Sequence, residues 1–162
     1  MTRTDFKDIF DNHFDTVRNY IYYRSGDPEL ATDISQDTFL RIWEKRNESY
    51  APHEIKGLLF KIANDLFISS YRKQRVASKF RLLYAHSSFN QSPEEKMQFK
   101  ELKRNYELCL DALPEKQRVV FLMSRIDKMK YHEIASVIGI SNKAVEKRMT
   151  KALQFLKKEL NY

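Results

Sequence analysis

The stretch from Tyr131 to Leu156 carries side chains whose types and spacing fit one recognisable chemistry, the binding of duplex DNA. Its second half has a helical stripe of apolar residues, namely Val145, Met149, Ala152 and Leu156. The other side of that helix is polar and largely basic, as in the second helix of a helix-turn-helix that enters a major groove. The candidate DNA-binding residues are Ser141, Asn142, Lys143, Glu146, Lys147, Arg148 and Lys151.

These candidates divide by the part of DNA that each can contact. Lys147, Arg148 and Lys151 suit phosphates, which position a protein on DNA without specifying sequence. Asn142, Lys143 and Glu146 suit base edges, and a glutamate can accept a hydrogen bond from a cytosine amine. We therefore expect sequence readout at the start of this helix.

The turn before that helix supports the same motif. Gly139 follows an apolar helical face and can adopt positive φ, and Ser141 can cap the next helix. The simpler interpretation is two amphipathic helices of a bundle joined by a glycine turn. The small Ala135, where two helices must cross closely, and the lysines on the exposed face favour the DNA-binding motif.

Other chemistries find little support in the sequence. The four histidines are scattered, none has metal-ligand spacing with Cys109, and no glycine-rich loop could hold a phosphate. We expect no catalytic activity, no metal site and no cofactor. Cys109 is alone and excludes an intramolecular disulfide.

Composition predicts an all-α protein of one ordinary domain or two small ones. The 162 residues are 42% hydrophobic, with only three Gly and four Pro and no sustained alternation of period two. No run approaches the roughly 20 apolar residues of a membrane span. The first fifteen residues have no apolar signal core. We expect a cytoplasmic protein with no stable membrane insertion.

The net charge of +7 is unevenly distributed. Residues 1–55 have seven basic against eleven acidic side chains, whereas residues 56–81 have seven against one and residues 128–162 have eight against three. Two separate basic segments fit two contacts with a polyanion. The acidic leading segment requires another explanation.

That segment predicts two helices, from Thr4 to Ser25 and from Asp27 onward. The second buries Ala31, Ile34, Thr38 and Ile42. Its opposite face is acidic around one apolar residue, which suggests a protein-docking surface. The residues of that face are Asp33, Gln36, Asp37, Leu40 and Glu44.

A loop over Asn47–Glu54 precedes a third helix from Ile55 to about Arg75. Leu59, Ile62, Ala63 and Leu66 point one way, and we place Phe60, Lys61, Asn64, Ile68, Tyr71, Arg72 and Arg75 around the other side. Aromatic rings among cations suit single-stranded nucleic acid. The alternative is that Phe60, Phe67 and Tyr71 widen the core stripe, which we favour for Phe67 but not for Tyr71.

The second half begins after a polar stretch without periodicity. We expect two small helical domains joined by a flexible linker, with limits at 1–80, 81–95 and 96–162. Pro93 predicts the start of the next helix, whose core stripe comprises Phe99, Leu102, Tyr106, Cys109 and Leu113. Leu113-Pro114 ends that helix and starts another, and the helix-turn-helix follows.

With these elements in place, the chain resembles the extracytoplasmic-function (ECF) group of bacterial sigma-70 factors. The segment Asp33–Trp43 resembles the helix that docks on the polymerase clamp, and Leu59–Leu66 with Tyr71-Arg72-Lys73 resembles the promoter-melting helix. Leu113–Arg118 and Tyr131–Leu156 resemble the domain that reads the upstream element. All four motifs occur in this order.

The resemblance implies a sigma factor that binds core RNA polymerase and directs it to promoters at the minus-ten and minus-thirty-five elements. It implies that the Asp33–Glu44 face contacts polymerase, and that the loop with the third helix holds the melted strand. The downstream-element candidates are Asn47, Tyr50, His53, Lys61, Asn64, Tyr71, Arg72 and Arg75. The family also implies an anti-sigma factor as a partner.

Two positions depart from the family pattern. Asp65 stands where many relatives have Asn, and Lys130 where they often have a capping Ser or Thr, although Glu133 is present. Two other functions remain open. One is a free-standing helix-turn-helix regulator that binds duplex DNA without polymerase. The other is a helical interaction module without sequence preference.

Overall fold

The computed structural model describes residues 1–46, 50–71 and 93–160, without the side chains of 52, 53, 71 and 93–96. Within those ranges it contains helices and turns but no strand, as the sequence predicts. The helices are α1 (Arg3–Ser25), α2 (Pro28–Glu44), α3 (Pro52–Tyr71), α4 (Pro93–Ala112), α5 (Glu115–Arg125), α6 (Tyr131–Ile138) and α7 (Asn142–Glu159). We call α1–α3 the first unit and α4–α7 the second unit. The limits of the predicted linker fall partly outside the described residues.

Local signals set the ends of α1 and α2. Thr2 and Asp5 form a reciprocal capping box at the start of α1, with N–H to oxygen distances of 2.8 and 3.2 Å. Gly26 ends α1 in the left-handed region, at φ 68°. Asp27 then accepts hydrogen bonds from the N–H groups of Glu29 and Leu30 at 3.0 Å, so α2 starts at once. The two helices are thereby held as a tight pair.

The first unit buries one apolar layer between its three helices. Val17 and Ile21 of α1, Ile34 and Ile42 of α2 and Leu59 of α3 are all buried. The predicted stripe of α2 is confirmed, because Thr38 is buried as well. Its hydroxyl donates a hydrogen bond to the carbonyl of Ile34 at 2.7 Å, so this polar group stays hydrogen-bonded although water is excluded.

The face predicted for α3 is wrong at one aromatic residue. Phe60, placed with the nucleic-acid side, is only 2% exposed, and its ring lies edge-on to Tyr20 with centroids 5.3 Å apart. The reason is that α3 contacts α1 and α2 and also α6 of the second unit, so more than one of its faces is covered. Phe67 is buried, as predicted.

The loop before α3 is shorter than predicted. The helix begins at Pro52, a residue suited to the first helical position, so His53 and Glu54 belong to its first turn. The Glu54 carboxylate accepts a hydrogen bond from the N–H of Ala51 at 2.9 Å, which stabilises this earlier start. His53 is therefore on a helix rather than in the loop.

In the second unit, the predicted stripe of α7 is confirmed. Val145, Met149, Ala152 and Leu156 are all buried, against α5 and α6. Gly139 ends α6 at φ 71°, and the N–H of Ile140 bonds the carbonyl of Ala135 at 3.0 Å. This geometry is the tight turn of a helix-turn-helix.

The predicted core stripe of α4 is wrong at its N-terminal end. Phe99 and Leu102 are 47% and 58% exposed, whereas Leu113 and the unpredicted Leu110 are buried. Tyr106 and Cys109 are half-buried. The helix extends past the core, and only its C-terminal part reaches the other helices, chiefly α7.

The two units pack directly against each other. Helix α1 contacts α5, and α3 contacts α6. Several polar side chains cross this boundary, among them Arg24 of α1, which lies 2.7 Å from the Glu115 carboxylate of α5. We call this boundary the inter-unit interface.

Candidate nucleic-acid and protein interfaces

The start of α7 presents its polar side chains from a firmly held backbone. The Ser141 hydroxyl accepts a hydrogen bond from the N–H of Ala144 at 3.2 Å and so caps the helix. The buried stripe fixes the rotation of the helix about its axis. The side chains left exposed are those of Asn142, Lys143, Glu146, Lys147 and Lys151. A face of this kind can enter a groove without rearranging.

Glu146 is free to accept a hydrogen bond from a base. Its carboxylate is exposed and makes no ion pair within the described part of the chain, although Lys143, Lys147 and Thr150 are near in sequence. The Thr150 hydroxyl instead donates to the backbone carbonyl of Glu146 at 3.0 Å. Glu146 is therefore an exposed acidic side chain on an otherwise basic surface.

Arg148 differs from the other six candidates of α7. It is half-buried, and its charge is one of those that act on the phenol of Tyr20 in α1. Burial raises the pKa of Tyr20, while Arg24 and Arg148 oppose that rise. Arg148 is therefore less accessible than the other candidates of α7.

The predicted docking face of α2 lies opposite the buried stripe. Its five members, Asp33, Gln36, Asp37, Leu40 and Glu44, are all exposed. Leu40 is 54% exposed, and none of the three acids makes an ion pair among the described residues. The face combines an apolar centre with unpaired carboxylates, which suits a basic protein surface.

The predicted strand-binding residues of α3 are placed less uniformly. Lys61 is exposed, whereas Asn64 is half-buried and its side-chain oxygen accepts a hydrogen bond from Arg24 at 2.8 Å. Asp65 is exposed and accepts a hydrogen bond from Asn64 at 3.4 Å. The departure at Asp65 thus leaves a carboxylate on the surface beside Asn64.

The remaining members of that predicted site are only partly described. Tyr50 is half-buried just before α3. Asn47, Arg72 and Arg75 lie outside the described residues, as do the side chains of His53 and Tyr71. Their role in holding a strand stays a prediction.

The second departure, at Lys130, leaves half of a capping box. Its backbone N–H donates to the Glu133 carboxylate at 2.7 Å, but a lysine side chain cannot accept a bond in return. The hydrogen bond from the Lys130 backbone lowers the pKa of Glu133. At the start of α6, therefore, only one of the two hydrogen bonds of a capping box is formed.

Sequence reasoning missed the residues of the inter-unit interface. Asn19, Tyr23 and Arg24 in α1 bond to side chains more than 90 positions away. The Leu113–Arg118 motif contains two of the partners, Glu115 and Arg118, and was the only available signal. No periodic pattern links such distant positions.

The described residues lack two further kinds of feature. They contain no cluster of three or more His, Cys, Asp or Glu side chains arranged to hold a metal ion. Among them, too, no helix has the length and apolar character needed to cross a membrane.

Comparison with known proteins assigns the class. Residues 9–76 match the family described as Sigma-70 region 2, and residues 103–156 match the family described as Sigma-70, region 4. The first match contains α2 and α3, and the second contains the helix-turn-helix. Together the matches span well over half of the chain, which belongs to the sigma-70 family.

Within that family the chain is an ECF sigma factor, by the relatives it matches. It is 27% identical to the ferric citrate uptake sigma factor FecI of Escherichia coli, covering 92% of this chain and 87% of FecI. It is 26% identical to the ECF factor SigM of Bacillus subtilis, covering 93% and 91%. It is 25% identical to SigE of Mycolicibacterium smegmatis, covering 90% of this chain but only 57% of SigE.

A solved structure shares the fold. The sigma factor RpoE of Bartonella quintana, determined in complex with the anti-sigma factor NepR, superposes with a TM-score of 0.66 at 21% identity. The match covers 97% of each chain. The arrangement of the seven described helices is therefore one that a known sigma factor adopts.

Proposed function

We propose that this protein binds core RNA polymerase in the cytoplasm and directs it to promoters with minus-ten and minus-thirty-five elements. The observation that carries the proposal is the start of α7, where a buried stripe and a capped turn present five polar side chains outward. Those side chains include base-reading and phosphate-binding types. The protein itself carries out no bond chemistry; it gives specificity to the enzyme that does.

The face of α2 serves as the polymerase contact. Its exposed acids and Leu40 belong to a helix whose other side is buried, so the surface is rigid before binding. A purely DNA-binding protein has no need of unpaired carboxylates there, because they repel phosphates. A basic groove or helix pair on polymerase is the complementary surface.

Helix α3 and the residues before it hold the opened strand. Lys61 is exposed and can contact a phosphate, whereas Asn64 can bind a base only when it releases its hydrogen bond to Arg24. Tyr50, Asn47, His53, Tyr71, Arg72 and Arg75 complete this predicted site. Removing a base from the stack costs a few kcal/mol, which stacking and pocket contacts offset.

An anti-sigma factor is a further proposed partner. The support is the Bartonella quintana RpoE structure, a complex of a similar fold with such a protein. A partner of this kind would keep the chain from polymerase or promoter DNA until a signal releases it.

The test is transcription in vitro with bacterial core polymerase, this protein and a pool of promoters randomised in both elements at fixed salt. We expect run-off product from a narrow promoter class that disappears when the protein is omitted. Specific duplex binding by the protein alone, without product, would instead indicate a free-standing regulator. Neither activity, with several bacterial core enzymes tried, would indicate a helical interaction module.

A further inference from the structure

Asp65 is the one acidic side chain among residues 56–81, where seven side chains are basic. It lies on α3, within the site predicted to hold the melted strand, and it is exposed. A carboxylate in this place repels the phosphates that the basic side chains attract. An acid here is therefore unfavourable for strand binding unless the strand offers it a hydrogen-bond donor.

A chain of hydrogen bonds positions the Asp65 carboxylate. The amide nitrogen of Asn64 donates to Asp65 Oδ1 at 3.4 Å, and the amide oxygen of Asn64 accepts from the Arg24 guanidinium at 2.8 Å. Because a guanidinium only donates and a carboxylate only accepts, these two neighbours determine which end of the amide faces each of them. Arg24 is itself held within the first unit, by a hydrogen bond to the Tyr20 hydroxyl at 3.2 Å and by the Phe67 ring, whose centre is 4.1 Å from the guanidinium carbon.

The carboxylate of Asp65 still has acceptor sites to offer. It makes no ion pair among the described residues, although Lys61 lies one turn earlier on the same side of α3. A carboxylate has about four acceptor sites, and the hydrogen bond from Asn64 uses one of them. Both oxygens of Asp65 can therefore accept from a pair of parallel donors.

The exposed side of α3 provides a path for a strand past Asp65. Gly57, Lys61, Asp65 and Ile68 follow one another at helical spacing, and all four are exposed. Lys61 can contact a phosphate, and Ile68, which is 38% exposed, offers an apolar surface to a sugar or a base. At Gly57 a Cβ would meet nothing within 4 Å, so this part of the surface is open and a strand can approach the helix backbone.

Guanine is the base whose free edge matches a carboxylate best. In an unpaired strand the Watson–Crick edge is available to a protein, and the edge of guanine has two neighbouring N–H donors, at N1 and N2. Adenine and cytosine have one amine beside a ring nitrogen that accepts, and thymine has one N–H between two carbonyl groups. Those acceptors repel the second carboxylate oxygen. Only guanine can therefore donate two parallel hydrogen bonds to Asp65, and bonds to a charged acceptor are the stronger kind.

We propose that Asp65 reads a guanine of the melted strand through the N1 and N2 donors of that base, and that Asn64 is the residue that positions the carboxylate. The inference rests on the proposed function, since it names the base that the melted-strand site selects. Lys61 contacts a neighbouring phosphate and so offsets the repulsion between Asp65 and the strand. Asp65 on α3 then has the same role as Glu146 on α7, an exposed acid that reads a base from a basic surface.

The first experiment compares the base preferences of two matched variants. Core polymerase transcribes a promoter pool randomised in the downstream element, with the parent chain, with Asp65→Asn or with Asp8→Asn. A barcode in each transcript identifies the promoter that was used. Both variants replace an exposed carboxylate by an amide of the same shape, but Asp8 lies on α1, outside the predicted sites.

We expect the parent and Asp8→Asn to select guanine at one position of the opened strand. Asp65→Asn should reduce that preference roughly fivefold or more, at that position only, because an amide cannot accept both bonds. The inference is overturned if the parent selects no guanine in the opened strand, or if Asp65→Asn keeps the guanine preference. An equal loss of product from every promoter would also overturn it, and would assign Asp65 to a polymerase contact.

The second experiment removes a donor from the base rather than an acceptor from the protein. Inosine, which keeps the N1 hydrogen but lacks the N2 amine, replaces the selected guanine in a promoter that is already unpaired in its downstream element. The polymerase complex of the parent should bind the inosine promoter severalfold more weakly than the guanine promoter, whereas the Asp65→Asn complex should bind the two alike. The same ratio for both proteins would mean that another group reads the guanine.

The isolated full chain separates this inference from the sigma function. Its binding is measured to single-stranded oligonucleotides that carry one guanine, or one inosine, among thymines. If promoter-directed transcription fails with every core enzyme but the chain prefers guanine and Asp65→Asn does not, the sigma function fails and base reading by Asp65 stands. If transcription succeeds and Asp65→Asn selects the same promoters as the parent, the sigma function stands and base reading by Asp65 fails.

Discussion

The outer faces of α2 and α7 differ from the inter-unit interface in what holds their residues in place. Each outer face is held in place by buried side chains a few positions away on the same helix. The interface joins side chains more than 90 positions apart through hydrogen bonds to a buried carboxylate and to helix ends. A change on an outer face should therefore cost the fold little stability, whereas a change at the interface should destabilise it.

The largest effect is expected at Arg118. Arg118→Ala leaves the carbonyl groups of Tyr23, Leu110 and others without their charged donor, so the free energy of unfolding should fall by about 3 kcal/mol. Denaturant unfolding measures it. The control is Arg125→Ala, an exposed residue of α5, expected to change stability by less than about 0.5 kcal/mol. Equal effects would remove the distinction between interface and surface.

The next effect is expected in DNA readout by α7. Glu146→Ala should cost roughly 1–3 kcal/mol on the cognate upstream element and change the base preferred there, with stability unaffected. Competition binding of the polymerase complex to single-base variants of the selected promoter measures this preference.

Lys147→Ala is the matched control for Glu146→Ala. It should weaken binding evenly across sequences. The slope of log affinity against log salt concentration should fall in magnitude by about one, because one phosphate contact is lost. If Glu146→Ala also weakens all sequences equally, Glu146 does not read a base.

A smaller effect is expected on the face of α2. Gln36→Ala with Asp37→Ala should weaken binding to core polymerase by about 1 kcal/mol, because both side chains are exposed and make no hydrogen bond or ion pair among the described residues. Titration of labelled protein with core polymerase measures the affinity. Asp8→Ala with Asn12→Ala, an exposed acid and amide on α1, should bind as the parent does. Unchanged affinity in the α2 variant would exclude this face as the docking surface.

The sequence predicts features that depend on a single helix better than features that depend on contacts between helices. The stripes of α2 and α7 follow a period of 3.6 residues and are readable in a single window. Phe60 was misplaced because α3 also packs on α1, where Tyr20 lies against its ring, and Phe99 was misplaced because α4 extends beyond the core. The pairing of Asp127 with Asn19 and Tyr23 has no local signature, because it depends on how two complete units pack.

The smallest effect is expected at Asp127, and it should depend on pH. Burial raises the pKa of this carboxyl above its ordinary value of 3.8, against the opposing bonds from Asn19 and Tyr23. Tyr23 is the titratable group facing it, and burial followed by the Asp127 charge raises the pKa of that phenol. Because the folded structure disfavours the charged carboxylate, it is relatively more stable at low pH and loses this advantage as the pH rises from 3.8 through the raised pKa.

Asp127→Asn should therefore stabilise the folded structure at neutral pH, by less than about 1 kcal/mol, because an amide oxygen still accepts the two bonds without a buried charge. The difference from the parent should shrink as the pH falls and vanish below 3.8, where both chains are neutral at this position. Denaturant unfolding at a series of pH values measures this difference. Asp8→Asn, an exposed acid of α1, should show no such trend. A variant less stable than the parent at neutral pH would mean that the Asp127 charge strengthens the inter-unit interface, and that the interface is held by electrostatic attraction rather than in spite of a buried charge.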